Sequence, residues 1–324
     1  MSIEQFFAFA RERHGIYLKR MAGVPAPWTQ DPILQKYKFT NVFRELDATT
    51  VWFREHVRDP LRNSPDVLLA TVLFRWFNSI RTGEAIFSQL NFEKQTAWER
   101  RGRLLTHHDM LGWCSELRAV IRAHCAGGPI VNGAYIIKGT DGMDKLSGVL
   151  DAFYQFMSTT QPTDIVPCKT LAHWKQVADE LRHRPIKMED AWDWMRQFPY
   201  QGRFTAYEIV CDLRYTALLE RAPDVNTWAN AGPGAIRGLA RLHDRFVPNE
   251  EKPSRLAAEA RVSNEQMLDE MRELLADSRF NCYWPQKWPA WEMREVEHTL
   301  CEWDKYERAR LGQGKPKQLF RYAA

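Results

Sequence analysis

Apolar residues recur at three- and four-residue intervals through nearly all of the 324-residue chain, and this helical periodicity restricts the fold more than any other feature. "NVFRELDATTVWFREHV" repeats apolar groups at Val42, Phe43, Leu46, Val51 and Phe53 and reads as one helix. "SPDVLLATVLFRWFNSI" offers Ser64 as an N-cap, Pro65 in the first turn and Asp66 behind it, the pattern of a helix start. "HHDMLGWCSELRAVIRAHCAGG" reads as a helix stopped by Gly127 and Gly128, and "KLSGVLDAFYQFMSTT" as the next. The only β-like text is residues 128 to 142, "GPIVNGAYIIKGTDG", either a short hairpin or an extended loop.

The expected class is therefore all-α, a single two-lobed helical domain over 1–324 with its lobes meeting near residue 160. Its parts are an N-terminal helical lobe (1–160), a lobe built around a helix, a glycine turn and a helix (161–245), and C-terminal helices with a basic tail (246–324). Pro/Gly clusters at 161–167, 223–234 and 247–253 read as the connections.

Hydrophobic residues form 44% of the chain and aromatic ones 12%, including 13 Trp, far too much apolar surface for a disordered chain. The balance of 45 Lys and Arg over 41 Asp and Glu is mildly basic, compatible with a polyanionic partner without requiring one. Cys114, Cys125, Cys168, Cys211, Cys282 and Cys301 form no C-x-x-C pair and follow no secretory leader, which predicts reduced thiols and no structural zinc. The opening "MSIEQFFAFARERHGIYLKR" reads as an amphipathic helix, and no apolar run approaches the ~20 residues of a membrane span.

The chemistry-bearing text begins at "FPYQGRFTAYEIVCDLRYT". Gly202 ends a turn in front of a helix, and free N–H groups at such a helix start can hold a phosphate. With "MEDAWDWMRQ" as the first helix, this is the layout of a helix-hairpin-helix element. Phe204, Ala206, Ile209, Val210 and Leu213 are expected on one stripe, with Thr205, Glu208, Asp212 and Tyr215 opposite. Glu208 and Asp212 stand one turn apart; the plain reading is a solvated face, the functional one a general base whose pKa the second acid raises. Gly232 and Gly234 flank Pro233 ahead of Arg237, a candidate anion nest or simply a loop before a helix.

"KYKFTNVFRELD" gathers Asn41, Arg44, Glu45 and Asp47, either a surface ion pair between Arg44 and Asp47 or a grip on a base edge or phosphate. The last helix aligns Glu297, Cys301 and Lys305 and leaves Arg308, Arg310, Lys315, Lys317 and Arg321 in a basic tail that suits a phosphate backbone, with a solvated C-terminal helix as the plain alternative. "HHD" at 107–109 reads as a helix start rather than a metal site, and "KGTDGMDK" lacks the spacing of a P-loop.

"YKFTNVFRELD", "GRFTAYEIVCDLRYT", "GPGAIRGL" and "EVEHTLCEWDKY" occur in this order across almost the whole chain. That set resembles the helical family that bacteriophages use for thymine hypermodification: the helical domain of 5-hydroxymethyluracil DNA kinases and the α-glutamyl/putrescinyl-thymine pyrophosphorylases, or amino acid:DNA transferases. The family is described as similar to helix-hairpin-helix DNA glycosylases. The resemblance implies an enzyme acting on double-stranded DNA that carries modified thymine. There, pyrophosphate on 5-pyrophosphoryloxymethyl-uracil is replaced by a free amino acid or polyamine, with the base flipped out of the duplex. It implies the cytoplasm of an infected bacterium, no membrane, and no fixed cofactor beyond a divalent metal that could share the leaving charge. Kinase members also carry a P-loop domain, so the chain looks like the stand-alone transferase.

On this resemblance Asp212 is the first candidate for the base that deprotonates the amine, Asp224 the second, and Glu208 and Asp47 supporting acids. Arg44, Arg237 and the Gly232–Gly234 loop are expected to neutralise departing pyrophosphate, with Asn41, Gly202, Arg203 and Lys305 on the DNA or substrate. A glycosylase using Asp224, and a non-catalytic DNA-binding partner of a separate kinase, are the rival expectations.

Overall fold

A computed structural model describes residues 2–64, 66–89, 107–132, 142–159, 183–198, 200–248, 262–280 and 283–320. Among these the chain is all helical: no strand is present, and an isolated β-bridge joins Tyr37 and Leu319. The helices are α1 (Ile3–Met21), α2 (Pro32–Lys36), α3 (Ala48–Phe53), α4 (Val67–Phe77), α5 (Ile80–Gly83), α6 (His107–His124) and α7 (Lys145–Thr159). They continue as α8 (Met188–Met195), α9 (Arg203–Leu213), α10 (Pro233–Leu242), α11 (Asn264–Phe280) and α12 (Met293–Arg310). Most of the β-like text, residues 133–141, lies outside the described residues, as does the Pro/Gly cluster at 161–167.

The chain forms two compact units, one of Met1–Asp47 with Val225–Ala324 and the other of Ala48–Asp224. The first is assembled from both ends of the chain, an arrangement that the divisions at 160 and 245 read from the sequence do not contain.

In the first unit, α1 starts at a capping box: the Ser2 hydroxyl accepts the Gln5 N–H and the Gln5 side chain accepts the Ser2 N–H. Its buried face carries Phe6, Phe7, Phe9 and Ala10. Phe6 meets Trp291 and Trp303 edge-on at 6.1 Å, so aromatic rings rather than aliphatic layers fill this core. Helices α10 and α12 lie unusually close. A Cβ built on Gly234 would stand 3.2 Å from Cys301 Cα, and one on Gly238 would stand 3.0 Å from the Leu300 carbonyl carbon. The glycines of "GPGAIRGL" thus admit a neighbouring helix backbone, a requirement only glycine meets.

In the second unit, α4 is apolar on all sides and buried along nearly its whole length, as a helix at the centre of a bundle must be. It stops at Asn78, which adopts the left-handed conformation at φ 46°. Its start differs from the sequence expectation: the Ser64 hydroxyl accepts the Asp66 N–H at 3.2 Å in a local turn, and the helix begins at Val67. The single helix expected over 41–57 is likewise broken. Asn41 N–H donates to Asp47 Oδ1 at 3.0 Å and Asn41 Nδ2 to the Leu46 carbonyl at 2.8 Å, closing residues 41–47 into a loop with one 3-10 turn. The helix starts only at Ala48.

Candidate functional site: buried carboxylates and the guanidinium groups they hold

Asp212 sits on α9, whose residues from Ala206 to Leu213 are all buried, while Phe204 is 53% exposed. The expected solvated face is therefore corrected: Glu208 and Asp212, at 2% and 0% exposure, point into the unit. The reason is α4, which packs against α9 and brings Arg75. Arg75 donates through Nε to Asp212 Oδ2 and through Nη2 to Asp212 Oδ1 at 2.8 Å. Its Nη1 donates to Asn78 Oδ1 at 2.9 Å, and Nη2 also reaches Thr50 Oγ1 at 3.3 Å. Arg58 approaches Asp212 Oδ1 at 4.0 Å and lies over the Tyr215 ring at 4.5 Å. A forked guanidinium on a buried carboxylate satisfies both desolvated charges, and removing either leaves the other uncompensated.

Asp224, the other candidate base, is also engaged. Its two oxygens accept the N–H groups of Met188 at 2.8 Å and Glu189 at 3.0 Å, so a carboxylate distant in sequence caps α8. Between α8 and α9, Gly202 is the N-cap of α9 and no side chain caps it. Trp192 Nε1 donates to the Arg203 carbonyl at 2.9 Å, and the Arg203 guanidinium lies 5.6 Å from the Trp192 ring. Gln201 beside this turn is buried, and neither of its amide atoms is hydrogen-bonded among the described residues.

The remaining candidates belong to the first unit. Arg44 and Asp47 form an ion pair at 3.3 Å, and Glu45 pairs with Arg294 at 3.1 Å. Gly232 N–H donates to Glu297 Oε1 at 3.2 Å, so the turn expected to be an anion nest already holds a protein carboxylate. Lys305 donates to the Lys38 carbonyl at 3.1 Å and stands 4.5 Å over the Phe39 ring.

Arg237 is placed differently. Its Nε donates to Asp304 Oδ2 at 2.8 Å; Arg308 Nε reaches the same oxygen at 3.1 Å and Arg241 Nε reaches Oδ1 at 3.1 Å. Asp304 is fully buried, Arg241 1% exposed, and Arg237 and Arg308 reach the surface at 18% and 26%. One carboxylate thus orients three guanidinium groups by their Nε atoms. Arg241 Nη2 goes on to Gln313 Oε1 at 2.8 Å, while the terminal nitrogens of Arg237 and Arg308 make no hydrogen bond among the described residues. Positive charge exceeds negative here, with outward-facing N–H groups fixed from behind, which suits a phosphate or pyrophosphate oxygen.

The sequence reading brought Asp212, Asp224 and Arg237 forward and counted Arg308 among the basic residues suited to a phosphate backbone, but missed Arg75, Arg58 and Asp304. A signal for two of them exists: Arg75 is the lone charge in "VLLATVLFRWF", and Asp304 lies in "EWDKY" between aromatic residues. A single ion inside an apolar helix needs a partner of opposite sign. Asp212, Asp224, Glu208, Gly202 and Arg203 lie in the unit 48–224; Asn41, Arg44, Asp47, Gly232, Gly234, Arg237 and Lys305 lie in the other.

Two further features belong to the first unit. Glu295 on α12 is buried, and that burial pushes its carboxyl up to about 7. A cavity of about 500 Å³ opens beside α1, α2 and α12 and is lined by Phe9, Glu12, Asp31, Trp303, Tyr306 and Glu307 among others. No group of three or more His, Cys, Asp or Glu among the described residues is arranged to hold a metal ion, and no described helix is long and apolar enough to cross a membrane.

Comparison with known proteins places these features in a family. The family described as 5-hmdU DNA kinase, helical domain, matches residues 1–315. The 5-hmdU DNA kinase of Bacillus phage SP10 is 27% identical over 251 residues, covering 73% of this chain and 35% of that protein, so the aligned part is about a third of the relative's length. No solved structure matches the chain.

Proposed function

This chain belongs to the family of the 5-hmdU DNA kinase helical domain, and we propose that it modifies thymine derivatives within phage DNA by exchanging a pyrophosphate for an amine. In the proposed reaction the methylene carbon of 5-pyrophosphoryloxymethyl-uracil loses its bond to the pyrophosphate oxygen and gains one to nitrogen. The ammonium gives up a proton and inorganic pyrophosphate leaves. Charge grows on the leaving oxygen, so fixed cations facing it lower the barrier most.

The observation that carries this reading is the Asp304 cluster. It holds Arg237 and Arg308 with their terminal N–H groups directed away from the carboxylate, preset for a polyanion and needing no rearrangement. The turn at Gly202 supplies a second, sequence-independent contact for DNA phosphate in its own unit. Asp212 takes a positioning role in this reading: both its oxygens are occupied by Arg75, and accepting a proton would require that fork to open. A glycosylase reading has less support, because its key acid, Asp224, is held in the cap of α8.

The test is to incubate duplex DNA carrying 5-pyrophosphoryloxymethyl-uracil with the protein and a panel of amines, then digest and analyse nucleosides by mass spectrometry. An amine adduct with stoichiometric pyrophosphate is the expected result. Unchanged or merely hydrolysed base across the panel rejects transfer, and abasic sites would transfer support to the glycosylase reading.

A further inference from the structure

Helix α12 is buried over most of its length with one break. Every residue from Met293 to Leu300 and from Glu302 to Asp304 is buried, yet Cys301 between them is exposed to solvent. Burial first, then the carboxylates of Glu297 and Glu302, nevertheless push its thiol up to about 12. A side chain that solvent reaches while the atoms around it keep most water away stands on the floor of a narrow cleft. Cys211 is fully buried on α9 and offers no such surface.

Three of the four stretches that carry the resemblance meet around this sulfur. Gly234 of "GPGAIRGL" lies directly against it, where a Cβ would collide with Sγ, and Gly232 N–H holds Glu297, one turn before Cys301 on the same face of α12. Glu302 accepts the N–H of Thr40, from "YKFTNVFRELD", at 3.3 Å. Arg237 stands one turn beyond Gly234 on α10 and Asp304 one turn beyond Cys301 on α12, so the anion cluster adjoins the thiol, and Asp304 is among the charges acting on it. A second, independent group turns to the same place. Arg13 on α1 is 4% exposed; its Nη2 donates to the carbonyls of Thr40 at 2.7 Å and Asn41 at 3.2 Å, and its Nε to that of Thr40 at 3.3 Å. Its Nη1 has no hydrogen-bond partner, and Glu302 and Cys301 are among the groups whose charge acts on this guanidinium. A buried cationic N–H left without an acceptor costs free energy that a ligand oxygen would recover.

We propose that Cys301 is a covalent catalyst of the transfer, adding through Sγ to C6 of the flipped pyrimidine while Glu297 takes the thiol proton. The inference rests on the transfer reading above. Its steps need no oxidant or reductant. The S–C6 bond forms as the C5=C6 electron pair moves toward the ring carbonyl, leaving negative charge on O4, where the unpartnered Arg13 N–H answers it. The thiol, neutral at rest, therefore never has to store that charge on sulfur. The pair then returns to make a double bond between C5 and the methylene carbon, and the bond to the pyrophosphate oxygen breaks toward Arg237 and Arg308. The amine, having given one proton to solvent, adds to the methylene carbon and sends the pair back to O4. Expulsion of sulfur restores C5=C6, and the thiolate recovers its proton from Glu297.

The experiment measures single-turnover transfer by the full chain on duplex DNA carrying 5-pyrophosphoryloxymethyl-uracil, with deuterium or protium at C6. Addition turns C6 from trigonal to tetrahedral, so the deuterated DNA is expected to react faster, a signature that a merely structural cysteine would not produce. Cys301→Ser and Cys301→Ala should each slow transfer by roughly a hundredfold or more, with circular dichroism and inorganic pyrophosphate binding unchanged. Equal rates for the two isotopes, or native-rate transfer by Cys301→Ala, overturns the proposal. A second assay separates it from the reading beneath it: release of tritium from C5 of uracil in duplex DNA requires addition at C6 but neither pyrophosphate nor amine. Cys301-dependent release without any transfer supports the covalent step and removes the transfer reading. Transfer that survives Cys301→Ala does the reverse, and a native protein that shows neither removes both.

Discussion

Arg75 and Asp212 stand 137 residues apart in sequence and are joined inside the second unit by a two-pronged ion pair at 1% and 0% exposure. A pair this dry answers why an acid sits within an apolar helix: it neutralises a cation that lies within another one.

Breaking the pair on one side should cost far more than breaking it on both. Asp212→Asn, leaving Arg75 buried without its counter-ion, is expected to lose about 3–5 kcal/mol in urea unfolding. Arg75→Met combined with Asp212→Leu should recover a large part of that. Loss of transfer activity in Asp212→Asn alone thus speaks to folding first. A stability change under about 1 kcal/mol for the single variant would remove the structural role given to the pair.

The close approach of α10 to α12 makes a second prediction. Gly238→Ala would place a methyl against the Leu300 carbonyl, and Gly234→Ala against Cys301, for an expected loss of about 1–3 kcal/mol each. Gly112 on α6 has nothing within 4 Å of its would-be Cβ. There alanine should stabilise by about 0.5–1 kcal/mol through helix propensity. Thermal unfolding of the three variants side by side gives the contrast.

Asp224 should behave as a cap. Asp224→Ala strips two N–H groups at the start of α8 of their acceptor and is expected to cost about 1–2 kcal/mol, while Asp224→Asn retains one acceptor oxygen and loses less. Amide exchange at Met188 and Glu189 should accelerate in the alanine variant; unchanged protection there would contradict the cap.

Glu295 gives a pH dependence with a definite sign. Its folded value of about 7 lies above the ordinary 4.5, so the folded state binds the proton more tightly than the unfolded one. Stability from this group is whole below pH 4.5 and falls as pH rises to about 7, by about 3 kcal/mol at most from 1.36 kcal/mol per unit. His14 opposes it: burial lowers its imidazole from 6.5 to about 4, and its contribution is lost as pH falls through that interval. The two partly cancel in the native protein, so the readout is the difference between native and Glu295→Gln in urea unfolding at a series of pH values. The variant should gain steadily between pH 4.5 and 7, and a flat difference would contradict the burial of an ionising Glu295.

Arg237→Gln and Arg308→Gln test the anion cluster. Each leaves Asp304 two guanidinium donors and should keep the fold, while binding of inorganic pyrophosphate weakens roughly tenfold, the size of one charge-assisted hydrogen bond. Titration calorimetry reads this directly, and affinity equal to the native protein in both variants would exclude the cluster as the pyrophosphate site.

What was legible in the sequence is what depends on neighbours in the chain. The periods of α1, α4, α6, α7 and α12, the stop at Gly127, and the turn at Gly202 all follow from residues within a few positions of one another. Even the failure at 41–57 was local in kind: the side chains of Asn41 and Asp47 bond backbone within six residues, and this outweighed an apolar spacing that continues across them.

Tertiary structure alone decided which charges meet. Asp212 looked like one acid of a helical pair until α4 laid Arg75 on it; Arg237 looked like a solitary cation until Asp304, 67 residues on, gathered it with Arg241 and Arg308. The unit holding that cluster is closed by segments from both ends of the chain. Helix formation is set by short-range sterics and hydrogen bonds, so it is written residue by residue. Counter-ion choice is a long-range electrostatic match made only once packing has excluded water, and no spacing in the sequence records it.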